Sequence, residues 1–451
     1  MMTLSEAARL AGGVLQGSDA ELARVVTDSR SVQPGDLFLA LKGERFDAHD
    51  FVAGAIEQGA VGAIVAEGFA LEGVNLITVD DTRLALGRLA AGWRARFDIP
   101  LIGITGSNGK TTVKEMLAAI LRAHVGQDAV LVTAGNFNND IGLPLTLLGM
   151  NDKHRFAVIE MGMNHSGELT YLAGLARPDV ALVNNALRAH LGQFDSVESI
   201  ARAKAEIFDG LTAEGVAVFN AEDPNAALFA AAAGARRTLS FGLKQGDIRA
   251  QSYMLGSDGS SVAIATPLGE LSVRVPAPGE HNVKNALAAV SLALALNVPE
   301  QAISRGLMQF SGVNGRLQKK TAKNGATVLD DTYNANPDSM RAGLEVLSRL
   351  PAPRWFVMGD MGELGEGADA LHAEVGQAAR ALGTDMVVTL GEASRHACEA
   401  FGAPAKHFEA IEPLLAWLDK SLPFNATVLV KGSHFMNMDR VVDHLVAKKG
   451  N

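Results

Sequence analysis

The chain has 451 residues, 48% of them apolar and 20% charged, which suits a soluble globular protein too long for one hydrophobic core and suggests two to four domains. Its formal net charge is −10, with Lys and Arg spread along the sequence; this argues against a nucleic-acid partner, which needs a basic surface, but leaves room for a small phosphorylated ligand. The single cysteine, Cys398, excludes an intrachain disulfide and a Cys-rich metal site and points to a reducing cytoplasm.

In chain order, MMTLSEAARL sets Thr3 three residues before Glu6, a pattern that opens a helix. It lacks a basic segment followed by an apolar one, so no secretory signal is expected. PGDLFLALKG reads as a turn and a strand, and IEQGAVGAIVAEG as the end of a helix, a glycine turn and a strand. From about residue 83 a helix (RLALGRLAAGWRARF) leads to the strand PLIGIT. The apolar runs AVLVT, FAVIEM, DVALVNN and GVAVFN follow, alternating with helical stretches, which predicts a parallel sheet covered on both faces. SSVAIATPLGELSVRV predicts a hairpin. Ala286–Leu296, interrupted by Ser291, is too short to span a bilayer and reads as a buried helix, so no membrane insertion is expected.

From about residue 313 the alternation restarts with GATVLDD, RWFVMGD, DMVVTLG and ATVLVKG, each followed by a helix. That predicts a second doubly wound unit of Rossmann-like form, without the glycine fingerprint of a dinucleotide site. Cys398 lies in the Ala-rich stretch GEASRHACEAFG, where a packed thiol is the plain reading. The fold class is therefore α/β with three domains, at 1–82, 83–312 and 313–451.

The sharpest local feature is PLIGITGSNGKTTVKEM. A buried strand runs into Gly106-Ser107-Asn108-Gly109-Lys110-Thr111-Thr112 and a helix starts at once. Glycines let backbone N–H groups converge on phosphate oxygens, and the helix N-terminus adds a favourable dipole. Lys110 can neutralise the β/γ phosphates, and the Thr111 hydroxyl can ligate Mg²⁺. A strict P-loop has glycine six residues before the lysine; here that position is Ile104, so the motif is a shorter G-x-x-G-K-T-T variant. The matching carboxylate is Glu160, at the end of the strand FAVIE about fifty residues on.

Residues 197–211 read as a helix with the apolar stripe Val197, Ile200, Ile207 and Leu211, and Lys204 falls inside that stripe. Two readings stay open on spacing alone. The lysine snorkels to water, or it is desolvated and available as a neutral amine. His190 follows the strand DVALVNN, at the carboxyl edge of the sheet where α/β sites gather.

Taken together, GSNGKTT, Glu160, RAHLGQF with AKAEIF, HNVKNALAA, GVNGR and DDTYNANPDSM resemble the Mur ligases over essentially the whole chain. TDSRSVQPGDLFLALKGERFDAHDF, TAGNFNNDIGLP and DDTYNANPDSM resemble the branch that joins D-alanyl-D-alanine to UDP-N-acetylmuramoyl-tripeptide. The Asp-Asn-Pro-Arg motif of the diaminopimelate-adding branch is absent. The resemblance implies that Gly106–Thr112 hold the ATP phosphates and that Asn282, Arg316 and Asp331 contact adenine, the phosphate side and ribose. It implies two Mg²⁺ ions, with Thr111 and Glu160 serving one and His190 and a carbamylated Lys204 the other, so that Lys110, Glu160, His190 and Lys204 form the catalytic set. Ser29, Arg30, Lys42, Gly43, Asp47 and His49 match the UDP-sugar region of the first domain. Asn136, Asn138 and Asn139 match a substrate loop, and Tyr333, Asn334 and Asn336 lie near the incoming dipeptide.

The activity so implied is cytoplasmic amide-bond formation through an acyl phosphate, by a monomer whose last domain closes as a lid on hinges near 83 and 312. Folylpolyglutamate synthase shares the loop and carbamate logic but lacks a counterpart of the first 80 residues. A nucleotide-dependent switch leaves Lys204 and His190 without a role.

Overall fold

The computed structural model describes residues 1–43, 46–189 and 191–446. It contains two compact units: one made of Met1–Ile104, Val125–Ala181 and Glu206–Val216, the other of Thr105–His124, Leu182–Ala205 and the chain from Ala217 onward.

The first unit opens with the helix Leu4–Ala11, whose Thr3 side chain accepts the Glu6 N–H at 3.3 Å. The Glu6 carboxylate does not complete a reciprocal box; it pairs with Arg96 at 3.1 Å. A five-stranded sheet runs in the order Val14–Gln16, Leu76–Val79, Gly62–Ala66, Leu37–Leu39, Val25–Val26. All its pairs are parallel except the first. Phe38, Val52, Ala63 and Val65 fill its core. The helix Thr82–Arg94 begins where Asp81 accepts the N–H groups of Arg83 and Leu84 at 2.7 and 2.9 Å. Three parallel strands, Leu101–Thr105, Phe156–Glu160 and Val130–Val132, carry the remaining apolar runs of this unit.

The second unit holds the 16-residue helix Lys110–Val125 that follows the glycine loop. The predicted hairpin is Gly259–Thr266 with Gly269–Val275, in register from Thr266↔Gly269 to Ser260↔Val275. A third antiparallel strand, Ile248–Gly256, extends it into a meander. Its burial is irregular, with only Ile248 fully buried, so the sequence carries no apolar alternation that marks it as a strand. The apolar run around Ser291 is the buried helix Glu280–Ala295, as expected, and Ser291 Oγ bonds the Leu287 carbonyl at 2.8 Å. Among the described residues no helix is long and apolar enough to cross a membrane.

The last six strands form one sheet in the order Gln318–Thr321, Thr327–Asp331, Thr427–Lys431, Arg354–Gly359, Met386–Leu390, Ala405–Phe408. Only the first pair is antiparallel. Apolar side chains fill both faces: Met340, Leu344 and Phe356 on one, and Trp355, Leu414 and Val441 on the other. The final strand inserts between the first two parallel ones, which brings Asp331 into register with Lys431 at the carboxyl edge of the sheet.

Candidate active site

Gly109, at φ +84°, turns the loop into the helix. A side chain there meets the amides of Asn184 and Asn285, so glycine is required twice over, by conformation and by space. The strand Val180–Val183 ends in Asn184-Asn185, and both amides grip the loop. Asn108 N–H donates to Asn185 Oδ1 at 2.9 Å, and the Asn108 carbonyl accepts from Asn184 and Asn185 Nδ2 at 2.9 and 3.0 Å. Ser107 Oγ donates to the Leu187 carbonyl at 3.1 Å and accepts the Leu187 N–H at 2.9 Å. Lys110 Nζ reaches back to the Gly106 carbonyl at 2.7 Å. The helix starts at Lys110, which leaves its first N–H groups and its dipole directed at the loop.

Beside the loop lies a cavity of about 290 Å³ lined by Asn108, Gly109, Thr112, Asn282, Arg316 and Asp331, together with His281, Asn285 and Lys431. Six of the residues expected to hold ATP thus meet in one place, while Gly106, Ser107, Lys110 and Thr111 lie outside its lining. Asn282 is fixed by two bonds. Its Nδ2 donates to the Pro278 carbonyl at 2.8 Å, and its Oδ1 accepts from Asn285 at 3.2 Å. Asn285 in turn accepts from Asn184 at 3.1 Å, so an amide chain runs from the cavity back to the loop. The Arg316 guanidinium stacks on the Tyr333 ring, 4.1 Å from its centroid, an electrostatically favourable arrangement.

Asp331 forms a buried ion pair with Lys431, Oδ2 to Nζ 2.7 Å, the side chains 10% and 3% exposed. Lys431 also donates to the Asn334 carbonyl at 2.9 Å. Burial pulls the Lys431 ammonium below its ordinary value, opposed by the Asp331 carboxylate. Lys431→Met strands a buried carboxylate and is expected to destabilise this half of the protein by about 3 kcal/mol, read as a fall in denaturation midpoint that Asp331→Asn on the same background partly reverses.

His281 is pushed down to about 4, chiefly by burial and against the attraction of Asp331. Its folded value lies below the unfolded 6.5, so unfolding takes up a proton between these two pH values. The stabilisation is complete above pH 6.5 and is lost as pH falls towards 4, amounting to about 3 kcal/mol at most. The melting temperature is therefore expected to drop between pH 7 and 4.5, and to drop less in His281→Gln.

Lys204 lies in the helix Val197–Ala205 and is 1% exposed. That overturns the snorkelling alternative. The helix also stops earlier than the apolar stripe implied, passing into a 3-10 segment over Glu206–Gly210. Ile200, Ile207 and Leu211 are buried as expected. Burial holds the Lys204 amine well below its ordinary value, and the nearby Lys110 charge adds to the effect. His190 lies outside the described residues.

In the first unit, Glu160 ends its strand 2% exposed. Its N–H donates to Thr133 Oγ1 at 2.9 Å, and its Oε1 accepts from Asn138 Nδ2 at 2.8 Å. The Asn-rich loop therefore reaches the metal-candidate carboxylate through Asn138. Asn139 Oδ1 instead takes the Gly142 N–H at 2.8 Å, at the start of the helix Gly142–Leu148, and Asn136 is exposed. Of the expected UDP-sugar residues, Arg30 makes a bidentate pair with Asp28 (2.9 and 2.8 Å) in an exposed turn over Ser29–Ser31. Lys42 faces Asp47 at 3.7 Å, and Gly43 is exposed beside it. His49 is committed at both ring nitrogens: Nδ1 sits 2.5 Å from Asp47 Oδ1, and Nε2 accepts the Ala66 N–H at 2.9 Å. That fixes the Nδ1–H tautomer and gives His49 a scaffolding task.

Among the described residues no group of three or more His, Cys, Asp or Glu side chains is arranged to hold a metal ion. Magnesium is usually bound through one or two carboxylates together with phosphate oxygens and water. Sequence reading missed Asn184, Asn185, His281 and Asn285. The signals were the Asn-Asn doublet closing DVALV and the i, i+3 spacing of the asparagines in HNVKN.

Three family models match the chain: Mur ligase family, catalytic domain, over residues 21–94; Mur ligase middle domain over 104–293; and Mur ligase, glutamate ligase domain, over 315–434. The UDP-N-acetylmuramoyl-tripeptide--D-alanyl-D-alanine ligase of Escherichia coli (strain K12) is 42% identical over 445 residues, covering 98% of this chain and 97% of that protein. A crystal structure of MurF from Acinetobacter baumannii superposes with a TM-score of 0.91 at 38% identity, covering 98% of each chain. The Thermotoga maritima MurF ligase in complex with ADP does so with a TM-score of 0.82 at 28% identity, covering 93% of this chain and 96% of that one. The chain belongs to the Mur ligase family.

Proposed function

We propose that the protein is an ATP-dependent ligase that joins D-alanyl-D-alanine to UDP-N-acetylmuramoyl-tripeptide in peptidoglycan precursor synthesis. The observation that carries this reading is the cavity where Asn108, Gly109 and Thr112 of the glycine loop meet Asn282, Arg316 and Asp331. The likeness to ligases of that name, one of them solved with ADP, supports the choice of nucleotide and substrates.

In the first step a carboxylate oxygen of the tripeptide attacks the γ-phosphorus of ATP; the bond to the β,γ-bridging oxygen breaks, leaving an acyl phosphate and ADP. In the second the dipeptide amine attacks the acyl carbon, the carbon–nitrogen bond forms, phosphate departs and the amine loses its proton. Activation is required because a carboxylate is a poor electrophile. Lys110 and the loop amides bind the phosphates, with Arg316 on the phosphate side; Asn282 holds adenine and Asp331 the ribose. Thr111 and Glu160 are proposed as ligands of one Mg²⁺, and His190 with a carbamylated Lys204 as the group serving a second. Bound there, such ions would supply charge neutralisation at the transferring phosphoryl group.

Ser29, Arg30, Lys42, Gly43, Asp47 and His49 are assigned to the UDP-sugar region, Asn136, Asn138 and Asn139 to the substrate loop, and Tyr333, Asn334 and Asn336 to the segment near the dipeptide. We assign domain limits of 1–82, 83–312 and 313–451, a monomeric state and a cytoplasmic location. The test is phosphate release with UDP-N-acetylmuramoyl-tripeptide and ATP, adding D-Ala-D-Ala, D-Ala or glutamate in turn. Only the dipeptide should drive turnover with formation of the pentapeptide product; turnover driven by glutamate would move the chain to the folylpolyglutamate synthase reading.

A further inference from the structure

The second compact unit contains a closed ring of polar contacts that nucleotide binding does not require. Asn108 of the phosphate loop pairs side chain to side chain with Asn336, at 2.8 and 3.2 Å. Asn336 is the N-cap of the helix Pro337–Ser348, with a reciprocal Ser339 box and Pro337 in its first turn. Two residues on, Asp338 accepts three bonds from Arg188: the backbone N–H at 2.9 Å, Nε at 3.1 Å and Nη2 at 2.8 Å. The rest of the Arg188 guanidinium grips Glu374 of the helix Ala368–Ala381, Nη1 at 2.8 Å and Nη2 at 3.0 Å. Arg188 follows directly on Asn184–Leu187, the segment that holds Ser107 and Asn108, and this closes the ring. Gly192 adds a backbone bond to the Glu363 carbonyl at 2.9 Å.

A lone exposed ion pair contributes little. This one meets two carboxylates, with Nε and Nη2 on one oxygen of Asp338 and a two-oxygen fork on Glu374. The arginine is 29% exposed, Asp338 23% and Glu374 45%, and Asp338 lies on the same helix start as the amide pair, so the contacts reinforce one another. Four of the five guanidinium N–H groups of Arg188 are engaged by Asp338 and Glu374, and these two carboxylates offset its charge within the ring. What the ring holds in place is the start of the helix Pro337–Ser348 and the segment before it, Tyr333–Asn336.

Resting on the ligase reading above, we propose that Arg188 and the Asn108–Asn336 pair are positioning residues for the second half-reaction: they dock the acceptor segment Tyr333–Asn336 on the phosphate loop so that the amine meets the acyl phosphate before water does. Asn336 then acts as the loop's partner through its side chain, which leaves Tyr333 and Asn334 to face the dipeptide.

The experiment measures ADP and amide product together, at saturating ATP and UDP-N-acetylmuramoyl-tripeptide, while D-Ala-D-Ala is varied. Arg188→Ala is expected to raise the KM for the dipeptide about tenfold with little change in the KM for ATP, and to release more ADP than amide as acyl phosphate is lost to water. Arg188→Lys should recover part of the loss. Glu374→Gln should give a smaller effect of the same kind, and adding it to Arg188→Ala should cost nothing further, because both changes break one ring. Wild-type coupling in Arg188→Ala, equal rises in both KM values, or additive losses in the double variant would each overturn the proposal. If Arg188→Ala does not fold, Glu374→Gln decides alone, through its dipeptide KM and its ratio of ADP to amide. A wild-type protein that makes no amide would instead sink the ligase reading itself.

Discussion

Replacement of Lys204 by alanine is expected to cut ligation by a hundredfold to a thousandfold, roughly the loss seen when a preorganised charge-stabilising group is removed. A 1% exposed amine, held well below its ordinary value by desolvation and by the charge of Lys110, gives up its proton more readily than an exposed lysine does. A neutral amine adds to CO₂: the nitrogen–carbon bond forms, the nitrogen gives up a proton, and a carbamate anion results. That exchange also changes the sign of the interaction with Lys110 from repulsion to attraction, so the modified side chain suits its surroundings better than the ammonium does. Two measurements check this. Acetate or formate should restore part of the turnover of Lys204→Ala by supplying the missing anion, and ¹³C-bicarbonate should give the wild type, but not the variant, a carbamate resonance. Full activity in Lys204→Ala would remove the carbamate from the mechanism, and a silent ¹³C spectrum with an inactive variant would leave the lysine needed for another reason.

Lys110→Ala should lower turnover by about a thousandfold and weaken the binding of a non-hydrolysable Mg·ATP analogue. The Lys110 ammonium donates to the Gly106 carbonyl at 2.7 Å, and a phosphate oxygen would offer it a stronger, charge-assisted bond. Arginine is not expected to substitute, because its planar fork cannot occupy the space of a compact ammonium on a flexible stem. Calorimetric titration against the analogue checks the binding arm and phosphate release checks the turnover arm. Unchanged affinity in Lys110→Ala would remove the glycine loop from the nucleotide site.

The two halves of the candidate site differed in how far they could be read in advance. The glycine loop was legible because its chemistry is local: strand, glycines, lysine and helix start are contiguous, and each residue's task follows from its neighbours in sequence. Lys204 was legible as an anomaly, a charge in an apolar stripe, yet the stripe alone could not separate snorkelling from burial. That distinction depends on what packs over the helix. Asn184 and Asn285 were missed for the same reason. An asparagine after a strand or one turn into a helix is unremarkable until the fold sets it 3.1 Å from its partner a hundred residues away.

Sequence alone determined the alternation of strands and helices, the glycine-loop motif and the family, since all three depend on local pattern and contiguous motifs. Tertiary structure decided the pairings that close the site: Asp331 with Lys431, Asn108 with Asn336, and Arg188 with Asp338 and Glu374. The physical reason is strand order. Once the last strand inserts beside the first parallel strand of its sheet, Asp331 and Lys431 become neighbours by register, and a contact between residues a hundred positions apart leaves no periodicity in the chain to announce it.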